Sequence, residues 1–253
     1  MVDLRAVFWD VDGTLADTEM EGHRVAFNQA FAIAGLPWDW DRNTYAELLR
    51  VPGGGARIKT FARQKGLELN AQQLQELRVL KHKSYIERIR GGHVIWRPGV
   101  MRLIEELTRA NMQQWIVTTS GNDSVRELIH HAFPQGHSPF IGWVTADLVQ
   151  RRKPHPEAYQ YALKKSGFNA IQCLAIEDST VGFRSATSAG LPCLLTPSPW
   201  DKALEDLFKQ AMAVINHFGD TNQPCKVIYG PPCATAQITL EYLLNLNAEI
   251  AHP

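Results

Sequence analysis

From residue 97 onward the chain alternates short apolar runs with amphipathic stretches, and this rhythm narrows the fold more than any other feature. W-I-V-T (115–118), 141–144, I-Q-C-L-A-I (171–176) and L-P-C-L-L-T (191–196) read as strands. Residues 99–110, 125–132, 155–166 and 181–189, which separate or precede them, carry helical periodicity. Apolar strands separated by helices of about ten residues predict an α/β fold, a parallel sheet covered by helices on both faces. The run A-V-F-W (6–9) supplies one more strand to that sheet.

Between the first strand and the alternating region the rhythm is different. In 21–34 the apolar residues Val25, Phe27, Ala30, Phe31 and Ala34 fit one helical face, which Gly35 and Pro37 end. Further helices are expected over 43–50, 56–65 and 71–90, with P-G-G-G (52–55) as a loop and no strand in the block. The organisation expected is a core of 1–17 and 93–253 interrupted by an all-α module of 18–92. Residues 218–235 read as loop, and 238–250 as a closing helix.

Twenty-six Lys and Arg balance 26 Asp and Glu in 253 residues, so no general surface for nucleic acid or an anionic membrane is indicated. M-V-D-L-R lacks a signal-peptide apolar region, and no apolar run approaches membrane-spanning length, so the chain reads as soluble and cytoplasmic; a monomer is expected. Cys173 and Cys193 sit in strand-like runs as small core residues. Cys225 and Cys233 lie in a Pro/Gly-rich tail at a spacing that fits no common zinc pattern, and they are given no metal or disulfide role. His130, His131 and His137 lack the paired spacing of a zinc site and read as surface histidines.

Ligands of open α/β sheets bind beyond the carboxyl ends of the strands, and four polar clusters fall there. Asp10 and Asp12 follow the first strand, and Thr118-Thr119-Ser120-Gly121 follows the second. R-R-K-P (151–154) precedes a helix, and Glu177-Asp178-Ser179 follows I-Q-C-L-A-I. Two residues along an extended segment restore the same facing, so Asp10 and Asp12 can reach one ligand. Two such charges about 4 Å apart cost on the order of 4 kcal/mol at an effective dielectric near 20, so a cation should offset them.

Four segments carry a resemblance: D-V-D-G-T-L-A-D-T-E, T-S-G-N, K-P-H-P-E-A-Y and E-D-S-T-V-G-F-R-S-A-T-S-A-G. In this order they resemble the motifs of the haloacid dehalogenase superfamily. Within it, D-T-E-M-E-G-H-R-V-A-F-N and Y-A-E-L-L-R-V-P-G-G-G resemble the CbbY-like sugar-phosphatase branch, close to the β-phosphoglucomutases. The resemblance implies a Rossmann-like core, with 18–92 as a small cap domain. It implies phosphoryl transfer with Asp10 as nucleophile and Asp12 as general acid/base. Mg²⁺ would be held by Asp10, the Asp12 carbonyl and Asp178, with Glu177 in support. A hydroxyl, Thr119 rather than Thr118 if 115–118 is the strand, would bind the phosphoryl oxygens with the Ser120 N–H. Lys153, rather than Arg151 or Arg152, would neutralise them.

The cap is expected to read the sugar through Glu19, His23, Gly54, Arg57 and Lys81, with Glu21 equally suited to capping its helix. Trp38, Trp40 and Tyr45 are expected to pack the module. Relatives in this branch typically read G-G-K-E-R where this chain has Gly54-Gly55-Ala56-Arg57; if the lysine lost there holds a second phosphate in the branch, the resemblance implies that bisphosphate recognition is weakened or reorganised here. A Mg²⁺-dependent phosphatase of a small sugar phosphate is the first reading, with xylulose-1,5-bisphosphate the substrate implied by the branch. A β-phosphoglucomutase-type mutase is the alternative, and a non-catalytic binding protein the third. Dehalogenation itself has no use for Asp12 or for a magnesium site.

Overall fold

The structure, a computed structural model, describes residues 3–51, 53–198, 200 and 202–249. The chain divides into two compact units, Met1–Ala16 with Trp96–Pro253, and Asp17–Ile95. Among the described residues the first unit holds a seven-stranded sheet. Its strands are β1 (Ala6–Trp9), β4 (Gln113–Val117), β5 (Gly142–Val144), β6 (Cys173–Glu177), β7 (Cys193–Leu195), β8 (Ala213–Ile215) and β9 (Val227–Tyr229). They lie in the order β5-β4-β1-β6-β7-β8-β9, parallel except for the antiparallel β9 at the edge. β2 (Ala16–Asp17) and β3 (Ile95–Trp96) form a two-stranded sheet where the chain passes between the units.

Strand alternation splits the core of this unit in two. Ala6 and Phe8 join Trp115, Val117, Ala175, Tyr159 and Phe183 in one buried cluster, drawing on α7 (Glu157–Ser166) and α8 (Thr180–Ser188). Val7 and Trp9 point the other way, and the Trp9 ring lies 5.5 Å from that of Phe218. On that side a buried polar chain runs from the Trp9 indole N–H to Gln114 Oε1 at 3.2 Å. It continues from Gln114 Nε2 to the Ile104 carbonyl of α5 (Val100–Arg109) at 3.1 Å. An unpartnered amide there would cost about 1–3 kcal/mol, so the link also fixes where α5 sits.

The Asp17–Ile95 unit is built from a wide π-type turn at Glu19–Arg24, α1 (Val25–Ile33), α2 (Arg42–Leu48), α3 (Gly54–Gln64) and α4 (Ala71–Arg90). Its core is aromatic, with Phe27, Phe31, Trp38, Trp40, Tyr45 and Phe61 in mutual ring contact, as expected of Trp38 and Trp40. Asn70 and Gln73 exchange side-chain and backbone bonds at the start of α4, a capping box that fixes where the long helix begins.

Four elements differ from expectation. Gly54 and Gly55 open α3 instead of lying in a loop. Gly53, at φ +89°, turns the chain inward, and its carbonyl accepts the Arg57 N–H at 3.1 Å. Pro52 of the same stretch lies outside the described residues. The 218–235 stretch contains β9, which pairs with β8; both are three-residue strands, too short to show periodicity. The closing helix α9 spans Leu240–Glu249, and Ile250 lies outside the described residues. Between β4 and β5 comes α6 (Asn122–Ala132), which starts earlier than periodicity indicates because Asp147 accepts the Asn122 N–H at 2.7 Å.

Candidate active site

Register explains the site. Trp9 pairs with Ile116 on one side and Ile176 on the other, so the next residues, Asp10, Val117 and Glu177, are level at the carboxyl edge. The Lys153 ammonium reaches one acceptor from each: Asp10 Oδ1 at 2.7 Å, the Val117 carbonyl at 2.7 Å and Glu177 Oε1 at 2.6 Å. An ammonium has three protons to donate, and all three are used. Arg151 and Arg152 are exposed, so Lys153 alone of the three basic residues enters the site.

Lys153, Asp10, Glu177 and Asp178 are all buried. Burial opposes the charge of Lys153, yet the Asp10 and Glu177 carboxylates hold its pKa above the ordinary lysine value. Burial pushes the Asp10 carboxyl up to about 7, Lys153 pulls it down, and Glu177 and Asp12 add to the rise. Tyr159, whose role no local sequence pattern marks, donates its hydroxyl to Glu177 Oε1, and its ring centroid lies 5.2 Å from the ammonium. Burial and then the Glu177 charge hold that phenol well above its usual pKa, so it keeps the proton it donates.

Two glycines make room for these carboxylates. A Cβ on Gly182 would lie 1.8 Å from Glu177 Oε2, and one on Gly13, at φ +86°, 2.0 Å from Asp178 Oδ2. Asp10, Glu177 and Asp178 each bring a carboxylate oxygen within 4.8 Å of the others. An all-oxygen, buried acidic set of this kind suits a hard divalent cation such as Mg²⁺.

The hydroxyl cluster needs a correction. β4 ends at Val117, one residue before the apolar run suggested, so Thr118 is the first residue past the strand. Thr118 is buried and its Oγ1 accepts the Ser120 N–H at 3.1 Å, whereas Thr119 is exposed. The place expected for Thr119 falls to Thr118. The Ser120 N–H, expected to face a phosphoryl oxygen, is already committed to Thr118, and the Ser120 hydroxyl donates to Asp12 Oδ2.

Arg97 ties the edge together. Its guanidinium donates to the carbonyls of Gly13, of Thr196 at 2.6 Å and of Asn216 at 2.5 Å, joining the segments after β1, β7 and β8. Nothing in its R-P-G context signals this, because the three acceptors are backbone carbonyls far along the chain.

In the Asp17–Ile95 unit the expected residues form two groups. Tyr45 donates to Glu19 Oε2 at 2.6 Å and accepts from Arg57 at 3.3 Å. Lys81 lies 2.9 Å from His23 Nδ1 and over the rings of Phe27 and Tyr85. Glu21 pairs with Arg42 at the surface. Gly54 packs so closely that a Cβ there would meet Phe27 at 3.0 Å. His130, His131 and His137 are exposed, and among the described residues no helix is long and apolar enough to cross a membrane.

A mostly parallel sheet with a lysine-bridged carboxylate cluster at its carboxyl edge is the arrangement of an α/β enzyme. The haloacid dehalogenase-like hydrolase family matches residues 4–190, and the chain belongs to it. It is 36% identical over 228 residues to the protein CbbY (plasmid) of Cupriavidus necator, covering 87% of this chain and 88% of that one. Among solved structures, CbbY from Rhodobacter sphaeroides in complex with phosphate is 35% identical at a TM-score of 0.70, over 79% of this chain and 88% of that chain. A mutant of the same protein, in complex with xylulose-(1,5)bisphosphate, is 34% identical at a TM-score of 0.70, over 79% and 89%. The β-phosphoglucomutase of Clostridium difficile shares the fold, at 20% identity and a TM-score of 0.70 over 99% and 100% of the two chains.

Proposed function

We propose that the protein is a Mg²⁺-dependent phosphatase of a small sugar phosphate, acting through an aspartyl phosphate on Asp10. The observation that carries this reading is Lys153, whose ammonium joins Asp10, Glu177 and the Val117 carbonyl beside Asp178. Asp10 Oδ attacks phosphorus, and the bond to the sugar oxygen breaks. Asp12, held by the Ser120 hydroxyl, gives that oxygen its proton. In the second half Asp12 takes a proton from water, which attacks the same phosphorus and frees Asp10 and inorganic phosphate. Thr118 accepts the Ser120 N–H and so presents its own proton to the phosphoryl group. Asp10, Asp178 and the Asp12 carbonyl would hold Mg²⁺, with Glu177 orienting the set. When bound, Mg²⁺ neutralises charge on the phosphoryl oxygens.

We assign sugar reading to Glu19, His23, Gly54, Arg57 and Lys81 of the Asp17–Ile95 unit. Xylulose-1,5-bisphosphate is the first candidate, supported by the relative solved with it. The test is phosphate release from a panel of sugar mono- and bisphosphates, with and without Mg²⁺, by the wild type and Asp10→Asn. Stoichiometric, Mg²⁺-dependent release that Asp10→Asn abolishes is expected. Sugar phosphates interconverted without release would overturn the phosphatase reading, and activity retained in Asp10→Asn would overturn the mechanism. A preference for monophosphates would remove the bisphosphate candidate and point to the Gly55-Ala56 replacement.

A further inference from the structure

The family match ends at residue 190, and the segment beyond it holds two thiols that no step of the reaction uses, Cys225 and Cys233. They flank β9, and the backbones of both bond to one residue, Ala236. Ala236 accepts the Cys225 N–H on its carbonyl at 2.6 Å, while its own N–H reaches the Cys233 carbonyl at 3.5 Å. The Cys233 thiol donates to the Gln237 carbonyl at 3.2 Å. Burial, and after it the neighbouring Cys233 thiol, pushes the Cys225 thiol up to about 11.

Accessibility separates this pair from the other cysteines. Cys225 and Cys233 are half-buried, whereas Cys173 and Cys193 are enclosed in the sheet core at 0% and 2% exposure. The pair also adjoins the support of the active site. Asn216 Oδ1 accepts the Lys226 N–H at 2.6 Å, and the Asn216 N–H returns to the Lys226 carbonyl at 3.1 Å. The Asn216 carbonyl is one of the three that Arg97 gathers with that of Gly13.

We propose that Cys225 and Cys233 are a modification site, a dithiol that closes to an intramolecular disulfide by exchange with a small-molecule disulfide such as oxidised glutathione. One thiolate attacks a glutathione sulfur, breaking that S–S bond and releasing one glutathione thiolate. The second cysteine then displaces the remaining glutathione and forms the protein S–S bond. The dithiol loses two electrons, the glutathione disulfide gains them, and the two protons pass to the released thiols. The raised thiol of Cys225 makes the exchange slow near neutrality and faster in alkali. Once closed, the bond staples the chain on both sides of β9 and braces the Lys226–Asn216 anchor.

The test treats the native full-length protein with oxidised glutathione at about pH 8, alkylates remaining thiols and measures intact mass and peptide maps. The expected result is two fewer alkylated cysteines, a peptide joining Cys225 to Cys233, no retained glutathione, and full reversal by dithiothreitol. In Cys225→Ser the glutathione should remain on Cys233, since nothing displaces it. Four alkylated cysteines, a persistent glutathione adduct in the wild type, or a cross-link between chains would each overturn the proposal. Because the readout is mass and not turnover, this result is independent of the phosphatase assignment.

Discussion

Lys153 carries a full charge at a position 8% exposed, where desolvation costs several kcal/mol unless every proton finds an acceptor. Its three acceptors meet that need, while burial, opposed by Lys153 and reinforced by Glu177 and Asp12, moves the Asp10 pKa from 3.8 to about 7. The sign follows from linkage. A carboxyl whose folded value exceeds its unfolded value contributes stability that is full below about pH 4 and is lost as pH rises through about 7. The contribution is on the order of 4 kcal/mol for a shift of this size. Mg²⁺, if held by ionised Asp10 as proposed, would reverse the preference. Urea unfolding of the chelated protein should therefore show stability falling between about pH 4 and 7, and added Mg²⁺ should flatten that fall. The same pH slope with and without Mg²⁺ would contradict the assignment of Asp10 as a ligand. At this scale Asp10, Asp12, Lys153, Glu177 and Asp178 were legible because each ends or follows an apolar run or a motif. Tyr159 and Arg97 were not, since their roles consist of contacts with residues distant in sequence. The choice of Thr119 failed on one residue of strand length.

At the scale of elements, the strand edge works only if α8 begins directly behind Glu177. Ser179 accepts the Gly182 N–H at 3.2 Å, an N-cap that starts the helix at Thr180 and brings residue 182 against the Glu177 carboxylate. Gly182→Ala would set a methyl 1.8 Å from Oε2 and must displace Glu177 or the first turn of α8. We expect turnover to fall by about 100-fold or more, with at least about 2 kcal/mol of lost stability. Wild-type kinetics in this variant would show that the carboxylate position is not critical. Strands β1, β4 and β6 were readable because each carries a buried apolar run, 6–9, 115–117 and 173–176. β2, β3, β8 and β9 span two or three residues, and their pairing is set by neighbours instead of by their own pattern. In the Asp17–Ile95 unit α4 matches its periodicity to the residue, whereas α3 starts two residues early and the expected 21–34 helix opens with a π-type turn.

At the scale of the molecule, the chain beyond the family match completes the core of its unit. Phe218, Ile238, Leu243 and Leu246 are at most 1% exposed. Arg102 of α5 donates to the carbonyls of Phe218 at 3.1 Å and Ile238 at 2.7 Å, and Glu106 accepts the Leu240 N–H at 2.9 Å. Fully burying side chains of this kind is worth about 1.5–3 kcal/mol each, comparable in sum to the whole stability of a domain. A chain ending at Asn216 should lose cooperative thermal unfolding, followed by circular dichroism; an unchanged melting curve would make the tail dispensable. The level placement of Asp10, Val117 and Glu177 has one further consequence. A slip of a single residue in either pairing would withdraw an acceptor from Lys153 and turn an acid away from the others. The ammonium thus acts as a coincidence detector for three separately encoded segments.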